Sequence, residues 1–260
     1  MPTTARSLPA AERHRQSSLF GTVVIALRTL SLAVILALAV RTFLYEPFSI
    51  PSESMQPALL PGDYILVAKY PYGYSAVSFP WVGATGGERV GAKLPRRGDV
   101  IVFRTPQDGE IYIKRVIGLP GETVGVANGR PTLGDEAAAP RRIADYFIES
   151  TSDCRPARRV GDGCVFRRYR EELPDGISVD TLDTETTSPL DASMMVEIPA
   201  GHVFVMGDNR DDSQDSRVDA ASGGFGTVPV EAIIGRASII FFSHRADEGE
   251  IRWNRFGRRI

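Results

Sequence analysis

Lysine is the charged residue that this sequence uses least. The 260-residue chain contains 30 Lys and Arg together, and only three of them are lysines, namely Lys69, Lys93 and Lys114. Histidine is equally scarce, with His14, His202 and His244. Because arginine keeps its proton at any accessible pH, these few lysines and histidines are the basic side chains that can exchange a proton in catalysis.

Cysteine and net charge are low as well. Cys154 and Cys164 are the only two cysteines, and their spacing fits neither a two-pair zinc site nor a CxxC redox motif. In an oxidising compartment the pair could close a small loop. With a formal net charge of −2, the protein has no overall positive potential that would attract nucleic acid. The 43% hydrophobic and 24% charged residues are typical of a globular protein and exclude a disordered one.

One long apolar run occurs, at residues 19–40 near the N-terminus. As a helix, a run of this length rises about 33 Å, enough to cross a bilayer core. Arg28 interrupts it, but lies close enough to one end to snorkel to the inner face. We therefore expect a cytoplasmic basic tail at residues 1–18, a transmembrane anchor helix at residues 19–44, and everything beyond outside the cytoplasm.

The same segment has a competing interpretation as a cleaved signal peptide. Residues 29–40 form a shorter apolar core that ends in Ala37-Leu38-Ala39, which fits an Ala-x-Ala cleavage site. Against it, the stretch before this core is long for the basic region of a signal peptide. The pattern thus favours a retained anchor.

The rest of the chain alternates short strand-like runs with Gly- and Pro-containing turns and shows no helical periodicity. This predicts a mainly β protein, with an antiparallel β-sheet core after the N-terminal transmembrane helix. We expect residues 45–122 and 201–260 to form that core, with residues 71–97 as an extended loop or ribbon. The Arg-, Asp- and Thr-rich residues 123–200, which hold both cysteines, are predicted to be an inserted β-rich subdomain.

Two neighbouring serines follow the apolar run. Ser52 and Ser54 lie between Pro51 and Pro57, and each proline fixes its own φ and favours extended structure before it. A hydroxyl held on such a segment is a candidate nucleophile. A turn without chemistry fits the same residues, and only a base elsewhere in the chain decides between them.

Lys114 is the best candidate for that base. His202 and His244 lie in segments with no feature that would orient an imidazole, and Lys69 and Lys93 are expected to be solvated. Lys114 lies within a strand-like run. Because successive side chains of a strand point to opposite faces, Lys114 shares its face with Tyr112 and Val116, whose side chains are largely apolar. Burial there would lower the pKa of its ammonium group and make the neutral amine accessible.

The densest polar stretch is GDNRDDSQDSR at residues 207–217. A solvated surface loop is one interpretation. A calcium loop is another, but Arg210 stands where the second ligand is needed and the final glutamate is missing. The third is a salt-bridged scaffold that positions a hydroxyl near the base.

Four stretches, taken in order, resemble the successive motif boxes of bacterial type I signal peptidases. They are FSIPSESMQP at residues 48–57, RGDVIVF at 97–103, YIKRVIGLPGE at 112–122, and the 207–217 loop. The order, the spacing and the upstream apolar segment all agree with that family, over about residues 45–70, 97–122 and 203–240.

The resemblance implies a membrane-anchored serine endopeptidase that removes signal peptides from exported preproteins after Ala-x-Ala, without cofactor or metal. It implies Ser54 as the nucleophile and Lys114 as the general base, with Ser52 and the Ser54 N–H holding the oxyanion and Ser213 orienting Lys114. By the same resemblance, Phe48, Ile50, Met55, Leu59 and Ile113 line the substrate pocket, Asp208, Arg115, Asp215 and Arg217 form structural ion pairs, and Cys154 and Cys164 form a disulfide.

The partners implied are preproteins and the lipid bilayer, and the location is the bacterial cytoplasmic membrane, with the catalytic domain on the outer side. Two residues depart from the family pattern: Glu53 stands between the serines where glycine is common, and Asp212 replaces an asparagine. An extra carboxylate near Lys114 would raise the lysine pKa unless Arg210 or Arg217 neutralises it.

Two other classes fit less well. A non-catalytic membrane-anchored binding protein would not need Ser54, Lys114 and Ser213 intact. A self-cleaving repressor-type serine–lysine protease would carry a DNA-binding head in place of the apolar segment. A penicillin-binding protein is excluded, because none of the three lysines has a serine three positions before it.

Overall fold

The structure, a computed structural model, describes residues 10–79, 87–134, 136–137, 139–149, 158–184, 188–245 and 249–260. It divides into two compact units, Met1–Leu44 and Tyr45–Ile260. The first contains helix α1, Ala10–Phe43, within which the 23 residues Gly21–Phe43 are long and apolar enough to cross a membrane. The helix begins inside the segment that was predicted to be a polar tail.

The second unit is built from β-strands. In chain order they are β1 Tyr45–Ser49, β2 Asp63–Ala68, β3 Val100–Arg104, β4 Ile111–Gly118, β5 Thr123–Ala127, β6 Arg130–Leu133, β7 Glu136–Ala137, β8 Ala139–Arg142, β9 Tyr146–Glu149, β10 Arg158–Val160, β11 Gly163–Phe166, β12 Arg168–Leu173, β13 Ile177–Leu182, β14 Ala192–Glu197, β15 His202–Met206, β16 Val228–Pro229 and β17 Ile233–Ser243. The helical segments among the described residues of this unit are all short 3-10 turns. The mainly antiparallel β fold class is thus confirmed, with 41% strand and 18% helix.

The largest sheet has seven strands in the order β1-β2-β17-β3-β4-β15-β16. Its strands come from residues 45–118 and 202–243, and neighbouring strands are antiparallel. The intervening residues form three smaller sheets, β10-β11-β9, β13-β12-β8 and β14-β5-β6-β7. In the smaller sheets, short turns join antiparallel neighbours such as β5 and β6.

Period-two alternation in β2 and β17 buries one face of the large sheet. Ile65 and Val67 of β2 are fully buried and pack with Ile240, Met55 and Leu59 in one core cluster. Burying a side chain of this size stabilises the fold by about 1.5–3 kcal/mol. Because Met55 and Leu59 belong to the turn after β1, this cluster fixes the segment that carries Ser54.

The cysteines fall in the residues between the two halves of the large sheet. Cys164, in β11, is buried and disulfide-bonded. Cys154 lies outside the described residues, so the predicted pairing of Cys154 with Cys164 stays a prediction.

Candidate active site

Ser54 lies in the turn between β1 and β2. The Gln56 N–H donates to the Glu53 carbonyl (3.0 Å), and the Leu59 N–H donates to the Met55 carbonyl (2.9 Å). With Met55 and Leu59 buried beneath it, this short hydrogen-bonded turn holds the serine hydroxyl at a defined point above the core.

The end of this turn is linked to the C-terminal segment, residues 249–260, through a buried carboxylate. Arg255 binds both oxygens of Asp63, with Nε to Oδ1 at 2.9 Å and Nη2 to Oδ2 at 2.5 Å. Arg255 also donates to the Ala58 carbonyl (3.0 Å), and the Leu60 N–H donates to Asp63 Oδ2 (2.8 Å). The sequence analysis missed this network, although the position of Asp63 on the buried face of β2 is a signal for a hidden cationic partner.

Strand β4 presents Lys114 to this turn. The Lys114 side chain is only 3% exposed, and its Nζ donates a hydrogen bond of 2.7 Å to Ser54 Oγ. Lys93 is exposed, as expected. The expectation for Lys69 was wrong: its side chain is fully buried, with Nζ 2.7 Å from Glu46 Oε2, because alternation along β2 puts it on the buried face with Ile65 and Val67.

Burial lowers the pKa of Lys114 to about 8, because the desolvated ammonium form is disfavoured. The carboxylates of Asp215, Asp208 and Asp212 oppose this change, and Arg217 adds to it. Asp212 therefore acts in the direction anticipated from the sequence, but desolvation outweighs it. The amine is thus half neutral near pH 8.

The groups around the Ser54 hydroxyl are few. Ser52 Oγ lies 3.3 Å from Ser54 Oγ. The Ser54 carbonyl accepts from the Asn209 N–H (3.1 Å), whereas the Ser54 N–H donates to no residue that the structure describes. The hydroxyl of Ser52 and the N–H of Ser54 are therefore both near the nucleophile and available as hydrogen-bond donors.

Ser213 is placed differently from the prediction. Its hydroxyl is buried and helps to lower the pKa of the Asp215 carboxyl, and no hydrogen bond joins it to the Lys114 amine. The side chain packs over Gly207, where an added Cβ would lie 2.3 Å from Ser213 Oγ and 2.5 Å from the Ser54 carbonyl. Glycine at 207 thus allows the two chain segments to approach closely, while Lys114 points to Ser54 instead.

The 207–217 loop is braced by ion pairs. Arg115 binds Asp208 through Nε–Oδ1 (2.7 Å) and Nη2–Oδ2 (2.6 Å). Arg217 binds Asp215 through Nε–Oδ1 (2.8 Å) and Nη2–Oδ2 (2.9 Å). Such bidentate pairs fix orientation as well as charge.

A further pair in this loop reaches into the insert. Arg210 donates through Nη2 to Glu171 of β12 at 2.7 Å, and both side chains are buried. The calcium-loop interpretation is wrong, because Asp208 and Arg210 are both committed to these ion pairs. Arg210 consequently does not serve as the neutralising partner of Asp212.

A cleft of about 290 Å³ opens beside the serines. Phe48, Ile50 and Ile113 line it together with Ser52 and Lys114. Met55 and Leu59, which the resemblance placed in the pocket, are not among its lining residues; they pack in the same core cluster as Ile50, which does line it. The cleft lining is therefore mainly apolar, with Ser52 and Lys114 among its polar groups and Glu110 as its one acidic residue.

Two strand edges flank this cleft. Strand β1 pairs only with β2, and β4 pairs with β15 only from Arg115 onward, so Ile111–Lys114 has one unpaired edge among the described residues. Unpaired edges of this kind accept an extended peptide as an added strand.

Glu53 stands between the two serines and is about half-buried. Burial raises the pKa of its carboxyl group, and the nearby Asp212 raises it further. The carboxylate forms no ion pair with a described residue. Its backbone carbonyl accepts a bond from Asn209 Nδ2 (3.4 Å), and nothing in the structure gives the side chain a role.

One group of described residues has the spacing of metal ligands. Carboxylate oxygens of Asp183, Asp191 and Asp211 lie within 4.8 Å of one another. Backbone N–H groups already bind two of them, Thr184 to Asp211 (2.6 Å) and Ser188 to Asp191 (2.8 Å). Asp211 therefore joins its loop to Thr184, and Asp191 closes its own turn onto Ser188.

His202 and His244, the histidines of the second unit, lie elsewhere. The imidazole Nδ1 of His202 is 3.2 Å from the Ala200 carbonyl, and Nδ1 of His244 is 3.2 Å from the Gly62 carbonyl. Neither contacts Ser54. Among the described residues, the base within reach of the Ser54 hydroxyl is therefore Lys114.

The sequence is similar to those of known proteins. The family described as signal peptidase, peptidase S26, matches residues 23–242. Signal peptidase I of Rickettsia typhi is 34% identical over 81% of this chain and 76% of its own length. That of Rickettsia prowazekii is 35% identical with the same coverage. A solved signal peptidase I from Enterococcus faecalis V583 is 26% identical and covers 56% of this chain and 98% of its own, with a TM-score of 0.30.

Proposed function

The chain belongs to the signal peptidase family, peptidase S26, and from that membership we propose that it cleaves signal peptides with a Ser54–Lys114 dyad. The 2.7 Å hydrogen bond from Lys114 Nζ to Ser54 Oγ, in a buried site, is the observation that carries the proposal. A serine is a weak nucleophile without a base, and a desolvated amine at this distance can take its proton.

The first half of the reaction forms an acyl-enzyme. Lys114 accepts the proton as Ser54 Oγ attacks the scissile carbonyl carbon. The Ser54 N–H and the Ser52 hydroxyl donate to the oxyanion that develops. Lys114 then returns the proton to the leaving amine, the peptide C–N bond breaks, and the mature protein departs.

The second half regenerates the enzyme. Water attacks the ester carbonyl while Lys114 accepts its proton. The ester C–O bond breaks, and the proton passes to Ser54 Oγ as the signal peptide leaves with a new carboxylate. Both halves use one amine that changes between neutral and charged forms, which is why a pKa near neutrality suits it.

The substrate segment is proposed to add as a strand along the free edges of β1 and Ile111–Lys114. The side chains before the scissile bond would then enter the cleft formed by Phe48, Ile50 and Ile113. A cleft of about 290 Å³ that is shared between more than one residue favours small side chains such as alanine. This supports cleavage after Ala-x-Ala.

The apolar helix is proposed to be a retained anchor in the bacterial cytoplasmic membrane, with its N-terminus in the cytoplasm. Arg6, Arg13 and Arg15 before the span support that orientation. Because the signal peptide is itself held in the bilayer, anchoring confines enzyme and substrate to one surface and raises their effective concentration.

Cleavage specificity tests the proposed function directly. The full chain in detergent should cut a preprotein once, and N-terminal sequencing of the product should begin immediately after Ala-x-Ala. Changing either substrate alanine to leucine should lower kcat/KM by about 100-fold, because the larger side chain does not fit the cleft. A leucine inserted five residues after the cut is the matched control. Equal cleavage of all these substrates would contradict the proposed pocket.

The pH profile tests the role of Lys114. Since only the neutral amine accepts a proton, kcat/KM should rise with pH, reach half its maximum near pH 8, and level off above it. The profile is measured in detergent at constant ionic strength. A rate that keeps rising towards pH 10.4, the ordinary pKa of lysine, would show that the amine is not desolvated.

A further inference from the structure

A second cavity, separate from the cleft, lies behind the Ser54 turn. Its volume is about 380 Å³, and it lies where Pro57 and Ala58 meet residues of the insert and of the C-terminal segment. It shares no lining residue with the cleft. Five of its twelve lining residues are arginines, namely Arg115, Arg168, Arg170, Arg258 and Arg259.

Most of this positive charge is not neutralised. Arg115 is paired with Asp208, and Arg170 with Asp180. The other three, Arg168, Arg258 and Arg259, form no ion pair with any residue that the structure describes. Asp180 is the single acidic side chain among the lining residues. In a chain with a net charge of −2, this concentration of unpaired guanidinium groups is local and not a consequence of composition.

The arginines come from two segments that hold them in place. The guanidinium of Arg168 lies over the ring of Tyr146 at 5.9 Å, and its Nε is buried without a hydrogen-bond partner. The Arg258 carbonyl accepts from the Ile240 N–H (3.0 Å), and Arg259 forms a β-bridge with Ile239. Both segments therefore have fixed backbones, with the Arg168 side chain half-buried and those of Arg258 and Arg259 exposed to an incoming anion.

We propose that this cavity binds a phosphate group, either as free phosphate or as the phosphodiester of an anionic lipid headgroup. The planar guanidinium fork matches phosphate oxygens in a bidentate manner. Free phosphate offers more acceptor oxygens than a carboxylate, so three guanidinium groups can share it, and a phosphodiester keeps two non-bridging oxygens for a bidentate pair. A buried guanidinium N–H without a partner is costly, and such a ligand would satisfy it.

Calorimetric titration of the full chain in detergent with inorganic phosphate, at fixed ionic strength, tests the site. Wild type should bind one phosphate. Each of Arg168→Gln, Arg258→Gln and Arg259→Gln should weaken binding about tenfold, the value of one charge-assisted hydrogen bond. Arg158→Gln, which removes an exposed charge from β10 in the insert, is the matched control and should bind as wild type does. Preprotein cleavage by each variant shows that it is folded.

Two further titrations define the ligand. Phosphatidylglycerol in the micelles should compete with phosphate if the ligand is a headgroup, with dioleoylglycerol as the uncharged control. No competition identifies free phosphate. No binding of either source, binding that the three substitutions leave unchanged, or succinate bound as tightly as phosphate would each overturn the proposal. Because the site shares no lining residue with the cleft, these outcomes are independent of whether Ser54 and Lys114 cleave preproteins.

Discussion

Replacing Lys114 by methionine should abolish preprotein cleavage, with kcat/KM lower by about 10³-fold or more. Methionine keeps an unbranched side chain in the buried position beneath Ser54 but removes the amine that lies 2.7 Å from its hydroxyl. The Lys114 amine is itself half neutral near pH 8. Because methionine places another uncharged side chain in the same buried position, the fold should tolerate the change. Cleavage is measured in detergent above pH 8, where the wild-type amine is mostly neutral.

The matched control is Lys93→Met, which removes an exposed lysine from the loop before β3 and should leave the rate unchanged. Ser54→Ala should be as slow as Lys114→Met, and the double variant no slower than either single one. Groups that act as one unit are strongly non-additive in this way. Activity retained in folded Lys114→Met, or effects that multiply in the double variant, would refute the dyad.

The sequence alone predicts those features that depend on residues close together in the chain. Alternation in 111–117 predicted Lys114 on a strand face with apolar neighbours, and its side chain is buried in β4. The same rule applied to β2 would have placed Lys69 with Ile65 and Val67 on the buried face. Alternation gives the face of a strand, but the partner that makes burial of a charge possible, here Glu46 of β1, comes from sheet order.

Side-chain roles that are inferred from a family motif can be wrong for a different reason. Ser213 was expected to bind the Lys114 amine, yet it packs over Gly207 and acts on the Asp215 carboxyl. Met55 and Leu59 were expected in the pocket, yet they lie in the core below it. A difference of one rotamer or of one layer in the packing separates these arrangements, and no spacing in the sequence encodes it.

Replacing Arg255 by methionine should destabilise the second unit by about 3–5 kcal/mol, because the carboxylate of fully buried Asp63 would lose its partner. The change also removes the bond to the Ala58 carbonyl, which ties the Ser54 turn to the C-terminal segment. For a unit of this size, that loss corresponds to a fall of roughly 6–20 °C in Tm. Circular dichroism of the full chain in detergent measures it, with Arg158→Met as the exposed control.

A double variant separates loss of the ion pair from simple loss of packing. Asp63→Asn in the Arg255→Met background removes the buried charge but keeps an acceptor for Ser243 Oγ, which lies 2.7 Å from Asp63 Oδ1. The double variant should therefore recover part of the Tm lost in Arg255→Met, as expected when an uncompensated charge is the main cost. If Arg255→Met melts within about 2 °C of wild type, or Asp63→Asn lowers Tm further, the buried pair does not hold the Ser54 turn in place.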